Sequence, residues 1–156
     1  MEKFKKGAVL ITGTTSGVGL NTLKPLIEFG WDIIAVNRSS KRAIDEANKI
    51  LKNNEIESIN FIEIDLSDLN SVRDGAKEIA TRFGNVLKVL ICNAAVYKPR
   101  LKRPERSSQG FENSMAVNHF GHFLLINLLL ESILNSDEKI ILNGEILKFI
   151  PRITIL

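Results

Sequence analysis

The sequence of 156 residues predicts an α/β fold in which helices cover both faces of a doubly wound parallel sheet. Short apolar runs alternate along the chain with longer stretches whose apolar residues recur at helical spacing. This alternation is typical of parallel strands joined by crossover helices. A glycine-rich turn also separates the first run from the first helical stretch, as expected for a tight strand-to-helix connection. The length fits a single domain over residues 1–156.

Five apolar runs are predicted as the strands of the sheet. They are residues 8–12, 33–36, 61–64, 89–92 and 153–156. Uninterrupted runs of this length are typical of strands buried on both faces. Because the fifth run ends the chain at Leu156, we expect the sheet to be incomplete at its C-terminal side, as in the front part of a larger domain. A partner chain or a second copy could cover that open edge.

Four helices are predicted between the strands. The first carries Val18 and Leu23 on its apolar face and ends near Gly30; Pro25 lies inside it, so either the helix kinks there or its boundaries differ. The caps and bounds of the other three helices are also predicted. Ser39 or Ser40 caps the second, Ser67 caps the third, which stops at Gly84, and the fourth runs from about residue 109 to 135.

Composition and charge exclude several classes of protein. With 21 Lys+Arg against 18 Asp+Glu, the net charge of +3 permits an anionic ligand without indicating nucleic acid. The single cysteine, Cys92, cannot form an internal disulfide, which is typical of a reducing compartment. Polar residues interrupt the longest apolar stretch, 120–134, so no run reaches the roughly 18–20 apolar residues of a membrane span. The start leaves no room for a signal or transit peptide, and we expect a cytoplasmic protein.

The glycine-rich turn predicts a dinucleotide site. Its glycines are spaced G-x-x-x-G-x-G, directly between the first strand and the first helix. Glycines permit the turn and let the backbone approach a diphosphate, which the N–H groups of the helix start then bind. The sequence therefore predicts a Rossmann-like domain with cofactor-binding residues Gly13, Thr15, Ser16, Gly17, Val18 and Gly19.

The end of the second strand indicates which dinucleotide binds. An NAD site usually has an acidic residue there, which binds the ribose hydroxyls. This chain has Asn37 and Arg38 instead, and the Arg38 guanidinium can pair with a 2′-phosphate that a carboxylate would repel. Ser39, Lys41 and Arg42 could add a hydroxyl and positive charge. The sequence thus predicts NADPH, with a solvated basic helix start as the alternative interpretation.

Two further segments follow the third and fourth strands and complete the predicted cofactor site. Asp65 and Leu66 come directly after the third strand, where they can meet the adenine edge. Asn93, Ala94 and Ala95 follow the fourth strand and offer small side chains where a cofactor must lie close. Each segment alone would be interpreted as a helix cap or a turn. Their shared position at the carboxyl ends of strands favours the cofactor interpretation.

These motifs resemble the short-chain dehydrogenase/reductase family over about residues 7–156. The matching residues, in the family's order, are Thr12, Gly13, Gly17, Gly19, Asp65, Asn93, Ala94, Ala95 and Asn118. Three segments, 92–99, 110–114 and 117–125, are more similar to its light-dependent NADPH:protochlorophyllide oxidoreductase branch. They combine an Asn-Ala-Ala-Val-Tyr turn with a later Asn-His-Phe-Gly-His-Phe.

The resemblance implies a reaction and its residues. Bound protochlorophyllide absorbs light, NADPH delivers a hydride to its C17–C18 double bond, and a tyrosine-linked relay supplies the proton in chlorophyll biosynthesis. The family's Ser or Thr after strand five and its later Tyr-x-x-x-Lys motif are missing here, since the predicted fifth strand ends at Leu156 and the only tyrosine, Tyr97, has Leu101 four residues on. Of the catalytic residues that the resemblance implies, only Asn118 is present in this sequence. Its alternative role is a hydrogen bond within its helix. Cys92 and Tyr97 are weak substrate-site candidates, since the branch's cysteine lies near the pigment.

Two other groups of residues have structural explanations that compete with functional ones. His119 and His122 suggest a metal site, but no neighbouring ligand completes it, and packing is favoured. A basic cluster is formed by Lys98, Arg100, Lys102, Arg103 and Arg106. It is interpreted as a solvated loop or, alternatively, as a contact to a carboxylate of the pigment or to an anionic membrane surface. In the last case the protein would be peripheral to photosynthetic membranes. The cluster lacks the aromatic residues of a nucleic-acid site. The apolar last helix is expected to pack in the core. The resemblance implies that the same helix also packs against a partner subunit, as in many relatives.

Three functions stay open at this point. The first is an NADPH-dependent reductase of the protochlorophyllide type, of which this chain supplies the cofactor-binding part and lacks activity alone. The second is a catalytically silent nucleotide-binding or interaction module. The third is another short-chain reductase acting on a small carbonyl.

Overall fold

The computed structural model describes residues 6–98, 103–135 and 140–143, and it confirms the predicted α/β class. All strand pairs are parallel, in the order β3-β2-β1-β4-β5. The strands are β1 Ala8–Thr12, β2 Asp32–Asn37, β3 Ile59–Glu63, β4 Leu87–Cys92 and β5 Ile140–Asn143. The helices are α1 Gly17–Glu28, α2 Ser40–Ala47, α3 Asn53–Ile56, α4 Leu69–Phe83, α5 Asn113–Met115 and α6 His122–Leu134, with a π-helical segment Ala116–Gly121 between the last two.

The core lies on both faces of the sheet, as a doubly wound fold requires. Every residue of β1 and β2 is buried, because these central strands have helices above and below them. On one face Leu10 and Leu90 pack with residues of α4 and α6, such as Leu125. On the other face Ile11 and Ile33 pack with residues of α1 and α2. The chain therefore passes to the opposite face between β1 and β4, which are neighbours in the sheet.

The fifth strand is not where the sequence pattern predicts it. The strand that follows α6 and pairs with β4 is Ile140–Asn143, whereas the predicted strand at 153–156 lies outside the described residues. Both runs are four residues long with three apolar residues each, but Ile140–Asn143 ends on a polar residue and follows the polar stretch 135–139, so its signal is weaker. The expectation that the chain ends on strand five is therefore wrong, since residues 144–156 follow β5 in the sequence.

Helix α4 begins one residue later than its predicted cap implies. Ser67 is not the cap, because its N–H and hydroxyl groups both donate to Asp65 Oδ1, at 2.9 and 2.7 Å. Asp68 caps the helix instead and accepts from Asn70 N–H at 2.9 Å. The Gln109 side chain donates to the same Asp68 oxygen at 2.8 Å, and with the backbone bond it lowers the pKa of that carboxyl. Gln109 therefore belongs to the loop before the last helix, not to the helix.

Two other helix predictions are settled by the structure. Ser39, rather than Ser40, caps α2, and its hydroxyl accepts from Arg42 N–H at 3.4 Å. Helix α1 continues through Pro25 to Glu28, so its predicted boundaries are correct. Pro25 is exposed, and water can therefore bind the backbone carbonyl that the proline leaves without an N–H partner.

The last helix is a core helix, as predicted, but it begins at Asn113 with Glu112 as its cap. It runs for 22 residues to Leu134, and an 18-residue window within it has a mean hydropathy of 1.3, enough by length and composition to cross a membrane. Its inner face nevertheless packs against the sheet and α4. Phe123 and Leu128 are exposed on the outer face. A partner subunit there stays a prediction.

Candidate functional site

A cleft of about 540 Å³ opens at the carboxyl ends of β1 to β4. It lies at the point between β1 and β4 where the connecting helices change from one face of the sheet to the other. In doubly wound folds ligands bind at this point, because the loops diverge to opposite faces and leave a crevice. The lining residues come from five chain segments. They are Gly13, Thr15, Ser16, Val18, Gly19, Val36, Asn37, Arg38, Ser39, Arg42, Ile64, Asp65, Leu66, Asn93, Ala94, Ala95, Val96 and Val117.

The glycine-rich loop forms one wall and requires glycine for two different reasons. Gly13 has φ +75°, and a Cβ there would lie 2.7 Å from Ala94 Cα. Gly19 has an ordinary φ, but a Cβ there would overlap the Gly13 carbonyl oxygen and the Asn93 amide nitrogen. Gly17 has φ +58°, and a Cβ there would meet nothing within 4 Å. The loop is thus tightly packed against the segment after β4 at Gly13 and Gly19, and it is open at Gly17.

The first turn of α1 leaves backbone donors available beside this opening. Leu20 is the first residue of the turn whose N–H group bonds back, to Ser16 O at 3.3 Å. The N–H groups before it lack an intrahelical acceptor, as at every helix start. Val18, on the same turn, is 76% exposed. Since these donors also lie at the positive end of the helix dipole, the wall is suited to an anionic group.

The ends of β1 and β4 are held together by reciprocal hydrogen bonds. The Thr12 hydroxyl accepts from the N–H groups of Asn93 and Ala94, each at 3.0 Å. In return the Asn93 side-chain amide donates to the carbonyls of Thr12 and Gly13, each at 2.9 Å. Thr12 is fully buried. The segment after β4 is therefore a fixed wall of the cleft, directly against the glycine-rich loop.

Arg38 supplies positive charge at the end of β2. The Asn37 side chain is buried and is held by Thr14: Thr14 N–H donates to the Asn37 side-chain oxygen at 2.7 Å, and the Asn37 side-chain nitrogen donates to the Thr14 hydroxyl at 2.8 Å. Arg38 and Arg42 are exposed and line the cleft. Neither forms an ion pair within the residues that the structure describes. This end of the cleft therefore favours a second anionic group.

The opposite corner of the cleft is formed by the segment after β3. Asp65 is held by its bonds from Ser67, and its N–H donates to Ser71 Oγ at 2.9 Å. Gly121 allows the π-helical segment to approach this corner, since a Cβ there would overlap the Leu66 carbonyl oxygen. The corner is thus rigid, and it combines one carboxylate with the apolar Ile64 and Leu66 side chains.

Asn118 does not line the cleft but holds one of its walls. Its amide nitrogen donates to Val96 O at 2.9 Å, and its oxygen accepts from Val96 N–H at 2.7 Å. A helix residue thereby fixes the end of the segment after β4. The alternative role predicted for Asn118, a hydrogen bond within its helix, is not the one observed. A catalytic role stays a prediction.

The structure brings most of the predicted cofactor-binding residues into one cleft. Gly17 stands beside the cleft without lining it, and Cys92, Tyr97 and Asn118 also lie outside the lining. Tyr97 is 85% exposed. Four lining residues are not among those predicted from the sequence. They are Val36, Ile64, Val96 and Val117, each next in sequence to a predicted site residue, which was the available signal.

Burial makes Cys92 a poor nucleophile, because it raises the pKa of the thiol to about 12. We expect the folded chain to react with iodoacetamide at pH 8 at least about 100-fold more slowly than the urea-unfolded chain, since only the thiolate reacts. Mass spectrometry of the alkylated protein measures both rates. Equal rates would show that Cys92 is accessible and ionised.

The other sequence candidates lie apart from the cleft lining. In the described part of the chain, no three His, Cys, Asp or Glu side chains are grouped as a metal site would require. His119 is exposed and stacks on Phe123, with ring centroids 6.3 Å apart, whereas His122 is buried. Of the basic cluster, Lys98 pairs with Glu105 at 2.6 Å, and 100 and 102 lie outside the described residues.

Comparison with known proteins agrees with this geometry. The sequence profile described as short chain dehydrogenase matches residues 7–144, which include every strand and helix described above. The chain belongs to the short chain dehydrogenase family. It is therefore related to oxidoreductases, and the resemblance predicted from its motifs is confirmed.

Several curated relatives of this short chain dehydrogenase are named protochlorophyllide reductases. The chain is 42% identical over 150 residues to a chloroplastic protochlorophyllide reductase of Daucus carota, covering 92% of this chain and 36% of the relative. It is 40% identical over 136 residues to that of Chlamydomonas reinhardtii, covering 86% and 34%. The chain thus spans about a third of the length of the curated relatives it matches.

Solved structures support the fold. An uncharacterised protein from Mycobacterium paratuberculosis is 32% identical with a TM-score of 0.66, covering 83% of this chain and 44% of that one. A 3-ketoacyl-(acyl-carrier-protein) reductase from Brucella melitensis, solved with NADH, is 22% identical with a TM-score of 0.68, covering 90% and 57%. The sheet and its helices are thus those of short chain dehydrogenases.

Proposed function

We propose that this chain binds NADPH in the cleft and is the cofactor-binding part of a reductase similar to light-dependent protochlorophyllide reductase. The observation that carries the proposal is the cleft itself. A glycine-rich helix start lies at one wall, and Arg38 after β2 and Arg42 in the first turn of α2, neither ion-paired within the described residues, lie at the other end. NADPH carries two anionic groups, the diphosphate and the 2′-phosphate, which match these two features.

The diphosphate is assigned to the wall formed by Gly13 to Gly19. Glycine is required there because side chains at Gly13 and Gly19 would collide with the segment after β4. The open space in front of Gly17 leaves room for the phosphates, and the N–H groups of the first α1 turn point along the helix axis towards it. These residues bind and orient the cofactor without any charged side chain.

The 2′-phosphate is assigned to Arg38, with Ser39 and Arg42 beside it. Asn37 is neutral and is held by two hydrogen bonds with Thr14, so it does not repel a 2′-phosphate as an acidic residue there would. The adenine is assigned to Asp65 and Leu66 at the opposite corner. This arrangement favours NADPH over NADH through the charge of the guanidinium groups.

The remaining wall, Asn93 to Val96, is assigned to the inner ribose and the nicotinamide. Its alanines let the cofactor lie close, and Thr12 and Asn118 hold its backbone in place. NADPH, when bound, supplies a hydride. The chain's own contribution is to place the nicotinamide at a fixed distance from whatever substrate lies beyond Val96.

The substrate is proposed from the relatives, which are named protochlorophyllide reductases and described as chloroplastic. The matches cover about a third of each relative, so the activity of the whole protein is part of the proposal. Another small carbonyl is the alternative within the same family. The location of this chain, cytoplasmic or at photosynthetic membranes, stays a prediction.

A second candidate function is a nucleotide-binding module without catalysis, and one observation favours it. Residues 144–153, which follow β5, contain no Ser, Thr or Tyr, although the resemblance implies a hydroxyl residue after this strand. Tyr97 is exposed outside the cleft lining and has Leu101, not lysine, four residues on. Within residues 1–156, Thr154 is the first hydroxyl residue after β5 and no Tyr-x-x-x-Lys motif is present, which is the pattern that a silent module would have.

Titration of the purified chain with NADPH and with NADH, followed by nucleotide fluorescence, tests the cofactor. We expect NADPH to bind at least about tenfold more tightly, since a charge-assisted bond contributes about 1.5–3 kcal/mol. Equal affinities would overturn the assignment to NADPH, and no binding of either would overturn the cofactor site. Illumination with protochlorophyllide and NADPH then separates the two functions, because turnover supports the reductase and binding without turnover supports the silent module.

A further inference from the structure

His122 lies beneath the cleft and is bonded to the residue that holds its wall. The ring is 2% exposed, and its Nε2 lies 2.9 Å from the Thr12 hydroxyl oxygen, across 110 residues of sequence. Its Nδ1 faces the Asn118 carbonyl at 3.5 Å. Asn118 and His122 are four residues apart in one helical run, so the same run reaches the segment after β4 through Asn118 and the end of β1 through His122.

The hydrogen bonds around Thr12 determine the protonation of the ring. A hydroxyl has one donor and two acceptor positions. The N–H groups of Asn93 and Ala94 occupy both acceptor positions of the Thr12 oxygen. The hydroxyl must therefore donate its proton to His122 Nε2, which leaves the ring proton on Nδ1, facing the carbonyl.

We propose that His122 is a positioning residue of the cleft: as the neutral Nδ1–H imidazole, it orients the Thr12 hydroxyl so that this oxygen holds the amides of Asn93 and Ala94. The proposed consequence for nucleotide affinity rests on the function proposed above. The consequence for the wall itself does not, because it concerns hydrogen bonds within the chain.

Protonation of His122 would break this arrangement. An imidazolium donates from both nitrogens, so its Nε2–H would compete with the two amides for the Thr12 oxygen. Burial, chiefly by desolvation, lowers the pKa of the ring below its ordinary value of about 6.5. The folded chain therefore keeps the neutral ring at neutral pH. Because the unfolded chain takes up the proton first, this stability is present above about pH 6.5 and is lost as the pH falls further.

In the described chain, no other titratable group is placed to compensate for the charge of a protonated His122 ring. β1 has none, and β4 has Lys88, which lies beside Gly7 at the other end of the sheet, and Cys92, whose raised pKa keeps it neutral. The remaining groups on the packed helices, all exposed, are Arg73, Asp74, Lys77, Glu78 and Arg82 on α4 and His119 and Glu131 on the last helix.

NMR of the nucleotide-free chain tests the wall directly. We expect the amide resonances of Asn93 and Ala94 to shift as the pH falls from 7.5 through the titration of the His122 ring, with the same midpoint as the ring. In His122→Gln, whose amide oxygen can still accept from Thr12 but does not titrate, these shifts should be absent. In His119→Gln, which changes an exposed histidine three residues away, they should persist. Amides that do not follow the ring, or shifts that survive in His122→Gln, would overturn the proposal.

Binding of NADP⁺, which withstands mild acid, tests the consequence for affinity. We expect binding to weaken progressively as the pH falls from 7.5 through the midpoint of the His122 ring, by about tenfold once the ring is protonated, the effect of one hydrogen bond. The 2′-phosphate titrates in the same range, so the decisive quantity is the excess loss in wild type over His122→Gln. Thr12→Val should bind weakly at both pH values without that excess, and Thr12→Ser should restore it. No excess loss would overturn the link to affinity, whereas absence of binding at any pH would overturn the proposed function and leave the NMR result standing.

Discussion

Gly19→Ala is expected to weaken NADPH binding by at least about 100-fold, which corresponds to about 2.7 kcal/mol. The new Cβ would overlap both the Gly13 carbonyl oxygen and the Asn93 amide nitrogen. These two atoms are already bonded to each other at 2.9 Å, so neither can move without opening the junction of β1 and β4. Overpacking of this kind costs about 1–3 kcal/mol, and it falls on the wall assigned to the diphosphate. Fluorescence titration measures the affinity.

Gly30→Ala is the matched control for this substitution. Gly30 follows α1 away from the cleft, has φ +83°, and a Cβ there would meet nothing within 4 Å. Its replacement is strained by about 1–2 kcal/mol, which lowers the thermal midpoint without touching the site. Comparable losses of affinity in both variants would mean that general destabilisation, not the position of the glycine-rich loop, determines binding.

The elements that the sequence predicts well are those whose signal is local. β1 and β2 are recognisable because both faces are buried, which leaves uninterrupted apolar runs. Caps are harder, since Ser67 and Asp68 are adjacent and both have suitable side chains; the turn made by Asp65 decides between them. β5 was missed because its three apolar residues, followed by Asn143, have no periodicity that distinguishes them from other short apolar runs.

The candidate site divides in the same way. Its glycines and Arg38 follow strand ends, so their places in the cleft can be read from the chain. The bond between Thr12 and His122 cannot, because it joins residues 110 positions apart. The π-helical segment before His122 also has no local signal, although it brings Asn118 and Gly121 against the cleft walls. Long-range packing, not residue type, creates these contacts.

Arg38→Ala is expected to weaken NADPH binding by about 10- to 100-fold and to leave NADH binding unchanged, because a charge-assisted bond to phosphate contributes about 1.5–3 kcal/mol. Asn37 cannot replace the positive charge of Arg38, because it is neutral and bonded to Thr14. Arg42 is present in both the wild type and the variant, so its contribution cancels in the comparison. The difference between the two nucleotides isolates the 2′-phosphate, as in a double-mutant cycle. Titrations at low and high salt give a second signature, because screening should reduce the Arg38 effect.

Lys41→Ala removes the same charge from the same helix start at a residue that does not line the cleft. If long-range attraction alone drew the phosphate, both variants would lose affinity to the same extent, and added salt would abolish both losses. If the guanidinium pairs with the 2′-phosphate, only Arg38→Ala separates NADPH from NADH, and part of its effect survives high salt because bonded pairs are screened less. An equal loss for both nucleotides in Arg38→Ala would place the arginine against a phosphate that they share, and the cofactor would then be oriented differently in the cleft.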